Sequence, residues 1–470
     1  MKRQFLYILF CMILCLQMLQ SQGTVALTNE QKSWLAHANR HEKNGWVYLH
    51  IEGTPKERGF QHGYLLARDI KEAIRTLSEE WKYETAMEWS WFIQKAGEIL
   101  TAKVDSENLA EIEGMVDGMK TAGVSTSTDE LVALNGYMEL MWYWWPSVKD
   151  SIISHLPEHQ KQSCSSFIAT GSMTADGKIV LGHNSMVGYQ DPFCNIILDI
   201  LPEKGHRILM QAFTGFIHSG TDFFITDAGI VGSETTIGGF IPFDPKGVPE
   251  FARMRHATQY ASSIDEWCDI MKKNNNGGYA NAWLLGDVHN NEIARLELGL
   301  KHVGFDKKKD GYFVGSNVAE NLNILRFETK SDELNIKISS VARRVRWKQL
   351  MKENTGKIDF KLAQAFEADH YDTYLKKNNP GGRTLCGHEE LDPLFSSTGT
   401  PFYPGGTVDG KVVDSRMAMQ MSFLARWGSA CGKDFNGNKF LEVHPQFDWM
   451  TGLLKDRPSQ PWTEFKAGER

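Results

Sequence analysis

The sequence lacks the short patterns that usually identify a metal, nucleotide or serine-hydrolase site. No HExxH, no CxxC, no Gly-rich loop before a helix and no G-x-S-x-G occurs among its 470 residues. An excess of positive charge is also missing, since 51 Lys and Arg face 58 Asp and Glu, for a net charge of -7. We therefore predict no metal, no cofactor and no nucleic-acid partner.

Long apolar segments are absent after residue 23, and none approaches the roughly 20 residues that a membrane helix needs. The N-terminus, MKRQFLYILFCMILCLQMLQSQG, places two basic residues before a short apolar stretch and ends in small and polar residues. That layout predicts a signal peptide over residues 1–23 and an exported protein, periplasmic or secreted, with no integral membrane span. The absence of any Asn-x-Ser/Thr sequence favours a bacterial source.

Cysteine is scarce, with seven in the chain and five beyond the predicted signal peptide. These five are Cys164, Cys194, Cys268, Cys386 and Cys431. An odd number in an exported protein leaves at least one thiol unpaired, and whether Cys386 and Cys431 form a bridge stays open. We interpret Cys164 as an unpaired thiol because of the segments around it.

What the chain does contain is a change of pattern near its middle. Residues 24–145 include one short strand at 46–53 and otherwise space their apolar residues three and four apart, which predicts a mostly helical portion. Residues 146–163 hold two prolines and many polar residues and predict a linker that carries a cleavage site. Over residues 164–470, short apolar runs between turn residues predict strands, and the part from 380 onward reads as irregular. This order indicates an α+β protein and excludes a βαβ nucleotide-binding fold.

Cys164 stands at the junction of these portions, directly after the polar linker and at the head of the hairpin SSFIATGSMTADGKIVLGHN. Cleavage of the Ser163–Cys164 bond would make Cys164 a new N-terminus. Its thiol would then be the nucleophile, and its α-amine, with a pKa of about 8, would act as the base. A buried, inert cysteine is the alternative interpretation of the same position.

The segment CSSFIATGSMTADGKIVLGHNSMVGYQ resembles the nucleophile hairpin of the phospholipase B-like family, which consists of N-terminal-nucleophile (Ntn) hydrolases. Four further blocks resemble that family in the same order: 213–238, 275–287, 405–414 and 447–454. The front half, with GTPKERGFQHGYLLARDI, is also similar to acyltransferases of the isopenicillin-N type. The resemblance implies an αββα four-layer sandwich, cut before Cys164 into a small and a large chain.

The resemblance also implies roles for individual residues. Cys164 is the expected nucleophile, His183 its partner across the hairpin, and Asn281 an oxyanion donor. An imidazolium at His183 would favour the thiolate. The alternatives are a hydrogen-bonded core histidine for His183 and a strand-edge amide for Asn281.

Aromatic residues are dense in MEWSWF and ELMWYWWP, just before the predicted linker. We expect Trp144 and Trp145 to line an apolar acyl pocket, and we place Thr235 in the same pocket. Packing between helices and a sheet is the alternative for these tryptophans.

Together these features predict a self-processing cysteine hydrolase that cleaves linear amide or ester bonds of apolar acyl groups. The substrate would be a small acyl amide or a lipid, and the two processed chains would stay associated. Whether the protein forms a homodimer stays open. The alternatives are an acyltransferase and a non-catalytic protein that binds lipid or peptidoglycan fragments on the same scaffold.

Overall fold

The computed structural model describes most of the chain and shows where the predicted portions lie. The described residues are 26–152, 164–191, 195–220, 222–394 and 399–469. The predicted signal peptide, Ser163 and Cys194 lie outside these residues.

Helices occupy much of the N-terminal portion and recur between and after the strands. Their bounds are α1 Asn29–Ala36, α2 Pro55–Leu65, α3 Ala67–Thr85, α4 Trp89–Ile99, α5 Ser106–Thr121, α6 Thr128–Asn135, α7 Tyr137–Glu139, α8 Trp145–Ile152, α9 Glu250–Tyr260, α10 Ile264–Lys272, α11 Leu322–Phe327, α12 Ser339–Glu353, α13 Phe360–Glu367, α14 Ser415–Met419 and α15 Gly437–Val443. Local sequence explains several starts: Thr54 and Glu57 form a capping box at α2, and Pro55 fills its first turn.

The strands fall on both sides of Cys164. They are β1 Asn39–Lys43, β2 Trp46–Gly53, β3 Ser165–Thr170, β4 Val180–Asn184, β5 Met186–Gly188, β6 Ile196–Pro202, β7 Ile208–Ala212, β8 Phe223–Thr226, β9 Ile230–Thr236, β10 Asn281–Asp287, β11 Glu292–Leu298, β12 Val303–Lys308, β13 Gly311–Gly315, β14 Tyr371–Asp372, β15 Lys377–Asn378, β16 Gly405–Thr407, β17 Asp409–Asp414, β18 Ser422–Trp427 and β19 Thr463–Lys466. Every strand segment expected between 164 and 288 is present, and so is the strand at 46–53.

Within the described residues, the strands form two large sheets. The larger has the order β1-β2-β6-β7-β8-β9-β10-β11-β12, and the smaller has the order β13-β3-β4-β17-β18-β19. In the larger sheet β2 runs parallel to β6 and joins the N-terminal portion to the rest of the chain. Two short pairs, β14-β15 and β16-β5, complete the pairing among the described strands. The expectation of an irregular segment from residue 380 onward is wrong, because β17, β18 and β19 lie in the smaller sheet.

The buried apolar side chains form three clusters, one at each boundary between neighbouring layers of the fold. Leu181 from the smaller sheet and Ile197 and Leu209 from the larger one meet between the two sheets. The opposite face of the larger sheet packs against α3 to α10. The opposite face of the smaller sheet, through Phe167, packs on Trp347 of α12 and on α13. The layers are helix, sheet, sheet and helix, which confirms the αββα sandwich.

The segment predicted as a linker begins in a helix. Leu140–Trp144 is a π-helical stretch that leads directly into α8. Pro146 has no N–H to continue the regular ladder, which explains why the wider π turn lies next to it. Among the described residues, no helix has both the length and the apolar character needed to cross a membrane.

Candidate active site

Cys164 lies where the two sheets face each other, one residue before β3. Its side chain is buried, with 2% relative exposure. Its φ is 93°, in the left-handed region that disfavours residues with a Cβ. Such a conformation costs about 1–3 kcal/mol and persists only where the surroundings hold it. The backbone at the thiol is therefore strained.

Two polar side chains lie next to the Cys164 thiol. The thiol donates a hydrogen bond to Asp222 Oδ2 over 3.6 Å. The sulfur, a ring nitrogen of His183 and a carboxylate oxygen of Asp222 all lie within 4.8 Å of one another. His183 reaches this position because it pairs with Ser166 across the β3–β4 hairpin, and Ser166 shares a strand face with Cys164. The hairpin thus places the thiol and the imidazole together.

His183 is neutral in this setting. Burial, and then the positive charge of Lys411, hold the pKa of His183 well below its usual value. Its Nε2 lies 3.0 Å from the carbonyl oxygen of Glu234, which can only accept, so Nε2 carries the proton. Its Nδ1 has no hydrogen-bond partner among the described residues. The imidazolium expected from the sequence is therefore not the resting form.

Asp222 belongs to a pair of buried carboxyl groups. The Tyr279 hydroxyl lies 2.8 Å from Asp222 Oδ2 and 2.8 Å from Glu234 Oε1. Burial raises the pKa of Asp222 to about 7. Burial and then the charge of Asp222 raise the pKa of Glu234 well above its usual value. Two carboxyl groups this close cannot both ionise readily, so the pair keeps one proton near neutral pH.

The thiol itself is protonated in the uncut chain. Burial, followed by the negative charges of Asp222 and Glu234, raises the pKa of Cys164 well above its usual value. Lys411 and the backbone N–H of Met186 act in the opposite direction with smaller effect. A nucleophilic thiolate here needs a base, and the Asp222 carboxylate is the acceptor already in contact with the thiol.

Arg343 of α12 holds the backbone of Cys164. Its Nη1 donates to the carbonyl oxygen of Cys164 over 2.7 Å, and its Nη2 donates to Asn317 Oδ1 over 2.7 Å. Its Nε donates to Ser339 Oγ over 3.1 Å. Burial lowers the pKa of Arg343 to about 10, which still leaves the guanidinium charged at neutral pH. The planar fork fixes the carbonyl in one direction.

A buried ion pair lies on the other side of His183. Lys411 Nζ is 2.8 Å from Asp409 Oδ1 and donates to Ser185 Oγ over 2.7 Å. Both charged side chains are fully buried. Because β17 pairs with β4, Lys411 lies directly opposite His183 in the smaller sheet. This pairing connects the ion pair to the β3–β4 hairpin.

Asn281 and Thr235 lie on neighbouring strands of the larger sheet. Asn281 is the first residue of β10, opposite Thr236 of β9. Its side chain is buried, and neither its Nδ2 nor its Oδ1 has a hydrogen-bond partner among the described residues. Thr235 is buried as well, and its Oγ1 likewise has no described partner. An unpaired buried amide is costly and is typical of a site completed by a ligand.

Trp144 and Trp145, the predicted pocket residues, are not among the residues that line the apolar cavity described below. Trp144 and Trp145 pack against Trp91, and Trp145 also meets Trp81 edge to face. This packing matches the alternative interpretation of the aromatic cluster.

An apolar cavity does open near the site, and Trp142 is part of its wall. Its lining consists of Ala73, Leu77, Leu134, Tyr137, Met138, Trp142, Val187, Asp191, Phe213, Thr214 and Phe216. The Trp142 ring lies 6.0 Å from the ring of Tyr279, whose hydroxyl contacts the partner of the thiol. Trp142 therefore links one wall of the cavity to Tyr279, whereas Asp222 and Glu234 are not among the lining residues.

Four residues at the site were not assigned from the sequence: Asp222, Glu234, Tyr279 and Arg343. Asp222 and Glu234 stand in or beside strongly apolar strand segments, which is a usable signal for a buried functional carboxyl. Arg343 lies on a helix far along the chain, and no local pattern indicates its contact with Cys164.

With this geometry in place, comparison with known proteins identifies the family. A family model for phospholipase B matches residues 33–299, which is more than half of the chain. The chain belongs to the phospholipase B family. The match includes Cys164, His183, Asp222 and Asn281, and it ends before the blocks at 405–414 and 447–454.

Individual relatives are distant. Putative phospholipase B-like 2 of Bos taurus is 37% identical over 89 residues, 18% of this chain and 15% of the relative. Phospholipase B-like protein C of Dictyostelium discoideum is 22% identical over 289 residues, 55% of this chain and 48% of the relative. Phospholipase B of Crotalus adamanteus is 25% identical over 273 residues, 53% of this chain and 46% of the relative. The chain thus spans about half, or less, of the length of these relatives.

Among solved structures, a mutant of the conjugated bile acid hydrolase from Clostridium perfringens aligns with 56% of this chain and 88% of its own. The TM-score is 0.32 and the sequence identity 9%. A similarity of this size carries no inference about activity.

Proposed function

We propose that this protein is a self-processing hydrolase with an N-terminal cysteine nucleophile, acting on linear amide or ester bonds of apolar acyl groups. The observation that supports it best is the thiol of Cys164. Cys164 directly precedes β3 and faces the larger sheet, on strained backbone, with the Asp222 carboxylate as hydrogen-bond acceptor at 3.6 Å. A structural cysteine needs neither the strained backbone nor the partner.

Self-processing begins with transfer of the thiol proton to Asp222. The sulfur attacks the carbonyl carbon of Ser163, the C–N bond breaks, and the Cys164 nitrogen takes up a proton. The resulting thioester is hydrolysed by water, which leaves a carboxylate on Ser163 and frees the α-amine and thiol of Cys164. Release of the backbone strain at φ 93° assists the first step.

The mature enzyme would use the same thiol on its substrate. The α-amine accepts the thiol proton, and the sulfur attacks the acyl carbonyl to form a thioester. The Asn281 amide, whose Nδ2 has no partner among the described residues, donates to the developing oxyanion. The α-ammonium protonates the leaving group, and water then releases the acid. His183, neutral and fixed through Nε2, bounds the site beside the sulfur.

The cavity bounded by Trp142 is the proposed acyl site, because its walls are almost entirely aliphatic and aromatic. We assign acyl binding to this cavity instead of Trp144 and Trp145. We further propose an exported protein whose small chain ends at Ser163 and whose large chain begins at Cys164. The parallel pairing of β2 with β6 would keep the two chains together.

The decisive experiment compares the wild-type protein with Cys164→Ala by intact mass and N-terminal sequencing. Two fragments from the wild type, one beginning at Cys164, and one uncut chain from the variant are expected. Cys268→Ala, which removes another buried free thiol, is the matched control and should process normally. An uncut wild-type chain, or processing of Cys164→Ala, would contradict the proposal.

The substrate class is tested with acyl amides and esters of short and long chain. Trp142→Ala should reduce kcat/KM for long chains more than for short ones, because it changes the cavity wall. Trp144→Ala, which alters the tryptophan cluster outside this lining, should affect both chain lengths equally. If Trp142→Ala also lowered kcat/KM equally for long and short chains, the cavity would not be the acyl-binding site.

A further inference from the structure

A second cluster of reactive side chains lies apart from Cys164. It consists of His370, Cys386, His388 and Cys431, and one donor atom from each lies within 4.8 Å of the other three. Three of the residues come from the loops between α13 and β16, and Cys431 follows β18. The two central residues, Cys386 and His388, are fully buried. The fold therefore brings four donors together from distant parts of the chain.

The spacing of these donors matches a metal site. Cys386 Sγ and Cys431 Sγ lie 3.6 Å and 3.4 Å from His388 Nε2. In a tetrahedral site with Zn–S of about 2.3 Å and Zn–N of about 2.0 Å, sulfur and nitrogen ligands are about 3.5 Å apart. Two thiolates and two imidazoles are a donor set that Zn²⁺ prefers for structural sites.

The surroundings orient the histidines as ligands. His388 Nδ1 lies 3.0 Å from Glu390 Oε1, and Glu390 Oε2 accepts a hydrogen bond from the Tyr189 hydroxyl over 3.1 Å. Donation from Nδ1 to the carboxylate leaves the Nε2 lone pair directed at the two sulfurs. His370 Nε2 is buried and has no hydrogen-bond partner among the described residues. The contact with Glu390 does not involve the cysteines, and together the two observations fit both imidazoles as ligands.

We propose that His370, Cys386, His388 and Cys431 bind one Zn²⁺ ion as a structural site. Four protein ligands leave no open position for a substrate, so the ion would not take part in hydrolysis. This inference does not depend on the function proposed above, and no ligand of the site touches Cys164.

The site would support the wall of the active site. Gly387 lies between the two central ligands and makes two hydrogen bonds with Thr407 of β16. Its carbonyl oxygen accepts from the Thr407 N–H over 2.9 Å, and its own N–H donates to Thr407 Oγ1 over 2.9 Å. In turn, β16 pairs with β5, where Thr407 lies opposite Met186. The backbone N–H of Met186 contacts the Cys164 sulfur. Zinc would therefore hold an irregular loop against the strand that borders the nucleophile.

The competing arrangement is a disulfide between Cys386 and Cys431, which the sequence left open. A disulfide would consume both thiolates and leave the histidines without a ligand. The two arrangements exclude each other, because zinc needs free thiolates.

The test uses the full chain purified without chelators. Elemental analysis should find about one zinc per chain, and peptide mapping should find Cys386 and Cys431 unlinked by a disulfide. Zn²⁺ added to chelator-stripped protein should bind at one site and raise Tm. Co²⁺ added in its place should give a thiolate-to-cobalt charge-transfer absorption, which a disulfide cannot produce.

Variants then locate the ion. Cys431→Ser and His388→Gln should lose zinc, whereas Cys268→Ser and Cys164→Ala should retain it. Glu390→Gln keeps all four ligands and should weaken zinc affinity by about 10- to 100-fold. A Cys386–Cys431 disulfide in a zinc-free chain, or stripped wild-type protein that binds neither Zn²⁺ nor Co²⁺, would overturn the proposal. The metal titrations on the wild type decide the matter even where a ligand variant fails to fold.

Discussion

Replacement of Asp222 by Asn should slow self-processing strongly while preserving the fold. The change keeps the side-chain shape and removes the only ionisable oxygen found within hydrogen-bond distance of the Cys164 sulfur among the described residues. A positioned base contributes about 10²- to 10⁴-fold to a proton transfer. The cleavage rate should therefore fall by about 10²- to 10⁴-fold, which corresponds to a rise of about 3 to 5 kcal/mol in the activation free energy.

The pH profile should identify Asp222 as the base. Burial raises the pKa of Asp222 to about 7, and only its ionised form accepts the thiol proton. The wild-type cleavage rate should therefore rise with pH up to about 7 and level off above it. The variant should lack this dependence.

Pulse-labelled protein made by cell-free translation allows the cleavage to be followed on gels at pH 5 to 9, about two units either side of the Asp222 midpoint. Asp227→Asn is the matched control, since it makes the same chemical change at an exposed carboxylate that contacts His206. It should cleave at the wild-type rate. Faster cleavage by Asp222→Asn would show instead that Asp222 acts mainly by suppressing ionisation of the thiol, and an unchanged rate would refute its role as base.

Three further outcomes are expected. Arg343→Lys should slow cleavage by about 10- to 100-fold, because lysine cannot reproduce the fork on the Cys164 carbonyl and charged hydrogen bonds contribute about 1.5–3 kcal/mol each; a normal rate would contradict this. Lys411→Met should destabilise the protein by about 3–5 kcal/mol in urea unfolding, because it leaves Asp409 buried without its cation; a second change, Asp409→Leu, should recover part of the loss. Burial raises the pKa of Asp199, but hydrogen bonds from His50 and then Arg207 outweigh it and lower the pKa to about 2. The ionised carboxylate with these two partners therefore stabilises the fold by about 2 kcal/mol above pH 4, and this contribution is lost as the pH falls toward 2. Asp199→Asn should therefore be less stable at neutral pH and lose less stability on acidification, which unfolding curves at both pH values would show.

The strand pattern after residue 164 was predictable because both sheets are buried on at least one face. Runs such as NIILDILPE and NAWLLGDV carry the apolar content that such strands require, and they became β6 and β10. The C-terminal strands were not recognised. In β17 the residues Asp409, Lys411 and Asp414 interrupt the apolar pattern. Asp409 and Lys411 pair with each other within the strand, and only the folded sheet buries that pair.

The site residues likewise divide into those placed by local sequence and those placed by long-range contacts. The hairpin chemistry of Cys164 and His183 is local, since strands joined by a turn must return the second residue beside the first. The charge state of His183 is not local, because Lys411 lies more than two hundred residues away and reaches it only by strand pairing. Trp144 and Trp145 show a similar limit: density of aromatic residues predicts burial, but which ring borders the cavity depends on how the helices pack.

The four candidate zinc ligands match no short metal motif, although Cys386 and His388 are only two residues apart. Short metal motifs arise when two ligands share one turn or helix, whereas here His370 and Cys431 lie in separate loops. By itself, the sequence determined the elements that depend on residues near one another in the chain: the β3–β4 hairpin, the cysteine before it and the apolar strands. These follow from side-chain periodicity and turn residues. Only the tertiary structure decided which charges and ligands meet, because burial and long-range strand pairing set the contacts among Asp222, Glu234 and Tyr279, the clamp from Arg343 and the cluster around His388.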